Sequence, residues 1–75
     1  MKKIIDGKMY DTSTAELIFV IEDSNRKWYK TKKGNYFLLY PNGEIVAKTE
    51  DEVKEFLGEK SIEKYIQLFG EVEDA

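Results

Sequence analysis

The chain has 75 residues, a formal charge of −3, no His and no Cys. That composition excludes His- and Cys-based general-base, nucleophilic and soft-metal chemistry, and leaves no disulfide to staple the domain. A domain this small hides only about 60% of the surface its unfolded chain would expose. No apolar run approaches the ~20 residues that cross a bilayer. The opening residues 1–5 are broken by Asp6 and Gly7 before they could form a signal-peptide core, so the expected location is the cytoplasm, away from membranes.

The first element is a short hairpin, with Ile4-Ile5 and Met9-Tyr10 flanking an Asp6-Gly7 pair suited to a tight turn. Ser13 and Glu16 then have the spacing of a capping box, with Asp11 and Thr12 as caps one turn earlier. They predict a single helical turn, kept short because Ile18, Phe19, Val20 and Ile21 favour an extended backbone. A buried strand over 17–22 is expected next. Residues 22–26 read as a turn, 27–33 as a strand, 36–40 as a strand and 44–48 as a strand, divided by Gly34-Asn35 and Pro41-Asn42-Gly43. Strands so closely spaced form an antiparallel meander, since a parallel pair needs a crossover of about a dozen residues or more.

The last third changes period. Thr49 and Glu52 form a second capping-box pattern, Val53, Phe56 and Leu57 sit at i, i+3 and i+4, and Gly58 is placed to end the helix in the left-handed position. Ser61 caps a second helix whose Ile62, Tyr65, Ile66 and Phe69 share a face before Gly70 closes it. Residues 71–75 have no periodicity and read as a frayed tail. The fold class is therefore α+β: one domain, an antiparallel β-meander with an N-terminal hairpin and two short C-terminal helices packed on the sheet.

Four groups of residues are candidates for function. The hydroxyls of Thr12, Ser13 and Thr14 lack a His to activate them, and capping accounts for them. The acids of residues 50–63 do not have the D-x-D-x-D-G spacing of a calcium loop, so no metal and no cofactor is expected. The helix dipole accounts for Glu50, Asp51 and Glu52 in a first turn, but Glu55, Glu59, Glu63 and the tail acids Glu71, Glu73 and Asp74 lie beyond it. Arg26, Lys27, Lys30, Lys32 and Lys33 interleave with Trp28 and Tyr29, a mixture that grips phosphates and stacks bases in nucleic-acid-binding modules. Strand alternation offers another reading, in which one aromatic enters the core and the lysines guard a sheet edge; with an acidic total charge, nucleic acid is not the expected partner. Finally, Tyr36 and Tyr40 share one strand face with Leu38 while Phe37 and Leu39 take the other, so a sheet apolar on both sides predicts an exposed tyrosine patch, suited to an interface or a homodimer.

Charge is uneven along the chain: residues 1–43 hold eight Lys/Arg against five Asp/Glu, and residues 44–75 hold four against ten. A one-signed region steers association. The segment GKMYDTSTAELI, followed by WYKTKKGNYFLLY, TEDEVKEFL and FGEVE, resembles short proteins of phages and mobile elements in Gram-positive bacteria, over about residues 7–73. That resemblance implies a protein of the anti-CRISPR kind, an inhibitor of Cas9-type nucleases. The leading expectation is a non-catalytic module that binds a host protein, with Asp51, Glu55, Glu59 and Glu63 imitating DNA phosphates in an Arg- and Lys-lined groove. The rivals are a nucleic-acid-binding module using Arg26, Lys27, Trp28, Lys30 and Lys33, and an oligomerising accessory protein joined through the tyrosine patch.

Overall fold

The computed structural model describes residues 1–75. Asp6 and Gly7 both take positive φ, 50° and 74°, as a type I′ turn requires. They join β1 (Lys2–Ile5) to β2 (Lys8–Asp11) in an antiparallel hairpin. A turn leads into β3 (Glu16–Ile21), and β4 (Arg26–Lys30), β5 (Tyr36–Leu39) and β6 (Ile45–Lys48) complete a four-stranded antiparallel sheet in the order β3-β4-β5-β6. The meander is as expected. Asn25, at φ 54°, supplies the left-handed residue of the β3–β4 turn.

The helices also follow their caps. At the start of α1 (Glu50–Lys60), the Glu52 N–H donates to Thr49 Oγ1 at 3.1 Å and the Thr49 N–H donates to Glu52 Oε1 at 2.9 Å. This reciprocal pair satisfies two donors that a helix start would otherwise leave open. Ser61, in extended conformation, ends α1 and begins α2 (Ile62–Phe69), its Oγ accepting from the Lys64 N–H at 3.3 Å. Gly58 does not end α1. Its φ is not positive, and the Ser61 N–H reaches back to the Leu57 carbonyl at 2.8 Å, so the helix continues to Lys60.

Both sheet faces are covered, each by a different element. On β5, Tyr36 and Leu38 face α1 and α2, in a cluster with Ile18, Trp28, Val53 and Leu57. Phe37 faces the opposite way, against Tyr10 of the hairpin and Ile45. The pairing of β3 with β4 slips between Leu17↔Tyr29 and Phe19↔Trp28, so Ile18 is the extra residue of a bulge. The bulge lets Ile18 and Phe19 both serve the helix side, where strict alternation would send one of them away. Trp28 stacks on Phe56 at 4.8 Å, although its buried indole N–H has no protein acceptor.

Candidate protein-binding surface

Val53 and Leu57 are fully buried against the sheet, and at 100° per residue this turns Asp51, Glu55 and Glu59 to the opposite side of α1. All three are exposed. Because α1 runs through Gly58, Glu59 is a continuation of the row rather than a residue beyond the helix end, and the carboxylates rise by ~6 Å from one to the next. The single ion pair of the chain is Lys48 Nζ to Glu52 Oε2, 3.6 Å. Asp51, Glu55 and Glu59 therefore have no cationic partner. Glu63 is also exposed but sits in the first turn of α2, where that helix's dipole accounts for it. No group of three acids converges as metal ligands would.

Glu52 is different from its neighbours. The Thr49 N–H, then the Thr49 side chain and Lys48, hold its carboxyl below the ordinary value. Its role is to fasten the helix start. Asp11 is lowered in the same way by the Ser13 N–H and hydroxyl, which donate to Asp11 Oδ1 at 2.9 and 2.8 Å. The single helical turn is present, its Ala15 N–H donating to the Asp11 carbonyl at 3.0 Å, but its cap is Asp11, the earlier of the expected caps, rather than Ser13. Ser13 is not paired with Glu16. Asp11 takes the Ser13 N–H in a two-residue side-chain turn, and Glu16 is already extended, opposite Lys30 in the sheet. The hydroxyl cluster is a strand-to-strand turn.

The tyrosine patch is a second correction. Tyr36 is only 5% exposed, beneath the helices with its ring 6.1 Å from that of Phe69. Burial raises its phenol pKa, and the charge of Glu50 adds to the rise. Tyr40 lies one residue past β5, partly buried, with the Arg26 guanidinium 4.6 Å above its ring. No open aromatic face remains there, because the helices take the Tyr36 side and the hairpin takes the Phe37 side.

The basic residues are dispersed rather than gathered. Alternation sends Arg26, Trp28 and Lys30 to the helix side of the sheet and Lys27 to the other, while Lys33 lies in the turn after β4. Trp28, 5% exposed, has no free face on which a base could stack. The edge-guarding reading of the lysines also fails, since β4 pairs on both sides and Lys32 and Lys33 are outside any strand.

Sequence reasoning missed Gly58, Ile62 and Val72, which lie side by side where α1, α2 and the tail meet. A glycine inside a helical stretch is the available signal, but the same signal suits a helix stop. Comparison with models of protein families, with curated proteins and with solved structures finds no match to this chain.

Proposed function

We propose that the chain is a non-catalytic binding module that presents the outer face of α1 to a basic groove on another protein. The observation that carries this reading is the row Asp51, Glu55 and Glu59: three exposed carboxylates on one face of a continuous helix, unpaired in a chain that holds twelve Lys and Arg. The helix dipole accounts for Asp51, in the first turn of α1, but structural need does not account for Glu55 or Glu59. Capping uses Glu52, the core uses Val53 and Leu57, and a row of like charges along a helix repels itself. A partner bearing Arg and Lys relieves that repulsion and is attracted from a distance. Grooves that receive nucleic acid have that character, and the likeness to phage and mobile-element proteins points to the DNA channel of a Cas9-type nuclease in the cytoplasm of a bacterial host.

The test is charge reversal. Asp51→Lys, Glu55→Lys and Glu59→Lys together should leave circular dichroism near native, because none of the three touches the core, and should abolish binding to guide-loaded nuclease. Wild-type protein added before target DNA should block DNA binding, and added afterwards should block it much less. Rising salt should weaken the complex. Failure to bind any of several Gram-positive nucleases, or undiminished inhibition by the triple variant, would sink this reading.

A further inference from the structure

Gly58 occupies the interior of α1, where glycine is the least favourable residue after proline. A Cβ at this position would meet nothing within 4 Å. Neither a left-handed turn nor a close internal contact therefore requires glycine here. Its bare backbone instead lines a groove with Ile62, Tyr65 and Ile66 of α2 and Val72 of the tail, with a volume of about 230 Å³. No charged side chain lines it. Ile62 is 64% exposed and Val72 56%. Small-molecule sites occupy roughly 300–1,000 Å³, whereas a cavity of ~150 Å³ takes a benzene-sized group. The groove therefore suits one apolar side chain rather than a metabolite.

Acids outnumber lysines around the groove. On α1, Asp51 and Glu55 precede Gly58 by seven and three residues and share its face, with Glu59 beside it. Glu63 follows Ile62, and Glu71 and Glu73 flank Val72. Three lysines lie in this region but none lines the groove: Lys54 lies 5.1 Å over the Phe69 ring, Lys64 Nζ donates to Gln67 Oε1 at 3.4 Å, and Lys60 borders a hollow beside Phe19 and Glu22. An apolar pocket inside a charged rim is the anatomy of a protein-binding hot spot.

We infer that this groove is the anchor pocket of the acidic surface, and that its occupant is a segment of a partner protein carrying one aliphatic or aromatic side chain between Lys and Arg residues. The inference rests on the reading of α1 as the binding face and adds the second half of its recognition. The acids steer and orient the partner, and the anchor sets how long it stays.

The experiment uses the isotope-labelled 75-residue chain and a twelve-residue peptide of Lys and Arg with a central Leu-Phe pair, alongside the same peptide with Ser-Ser at the centre. The Leu-Phe peptide should shift the amide signals of Gly58, Ile62, Ile66 and Val72 and bind roughly tenfold more tightly than the Ser-Ser peptide, as burial of an apolar side chain requires. Gly58→Leu fills the groove, and Ile62→Gln strips a wall that is mostly exposed. Each should remove that tenfold preference, with circular dichroism confirming the fold. Equal binding of both peptides, with shifts confined to Asp51, Glu55 and Glu59, would overturn the groove and leave the acidic face standing. Binding of neither peptide would overturn both. Concentration-dependent shifts at Ile62 and Val72 without peptide, with a doubled mass, would make a second copy of the chain the occupant and overturn the partner segment.

Discussion

The two faces of the sheet both bury aromatic side chains, under unequal covers. On the helix side, α1 and α2 bring their own apolar stripe: Val53 and Leu57 are fully buried, and Phe56, Tyr65, Leu68 and Phe69 pack around them. On the other side the hairpin brings chiefly Tyr10 and Ile5. It seals Phe37 and Ile45 but leaves Leu17 46% exposed. The difference follows from period. A helix turns three or four residues in every two turns toward the core, whereas a two-stranded hairpin offers alternate residues and is marginal by itself. The hairpin is docked by the edge-on contact of Tyr10 with Phe37 at 5.6 Å and by Lys3 Nζ donating to the Ile45 carbonyl at 3.4 Å. Cooperative stability should therefore reside on the helix side, and local opening on the hairpin side.

The most damaging change should be Leu57→Ala, which opens a cavity beneath both helices and costs about 2–5 kcal/mol. In so small a domain this is a large share of the whole, and urea titration should show one transition moved to much lower denaturant. Tyr10→Ala should cost less, roughly 1.5–3 kcal/mol, because the hairpin can lift away without disturbing the helices. Amide exchange should accelerate over residues 2–11 while α1 stays protected. Equal loss of protection in α1 would show that the two faces form one cooperative unit and would break the comparison.

The smallest effect sharpens it. Each region holds one carboxyl below its ordinary value, Asp11 at the end of the hairpin and Glu52 at the start of α1. A carboxyl lowered by folding stabilises the protein above its unfolded value, and that contribution disappears as pH falls through the folded value. The loss should begin as pH falls toward the ordinary value, 4.5 for Glu52 and 3.8 for Asp11, and continue through the lower folded value. Thermal midpoints should fall on acidification, slightly less steeply in Glu52→Gln and in Asp11→Asn. An unchanged acid slope in both variants would contradict the assignment.

Features set by near neighbours are legible in the residues themselves. Asp6-Gly7 specifies a turn because both residues tolerate positive φ, and Thr49 with Glu52 specifies a helix start because the two satisfy each other's N–H groups. The acids of the α1 row are likewise visible at four-residue spacing, although the helix end is not. Gly58 is ambiguous because a glycine suits a left-handed stop yet is tolerated inside a helix, and the choice depends on Ser61 capping three residues later. Ser13 is ambiguous because Glu16 and Asp11 compete for it, and strand pairing with Lys30 draws Glu16 away.

The sequence alone determined the antiparallel meander, both helices and the uneven charge, since these depend on turn residues, periodicity and counting. Only the tertiary structure decided which cover each sheet face receives. The alternation of Tyr36, Phe37, Leu38 and Leu39 is apolar in both phases, so it states that two faces need burial without saying whether helix, hairpin or partner supplies it. The answer came from contacts distant in sequence: Tyr10 reached Phe37, Phe69 reached Tyr36, and the aromatic patch that the strand pattern left open was closed by the protein's own two ends.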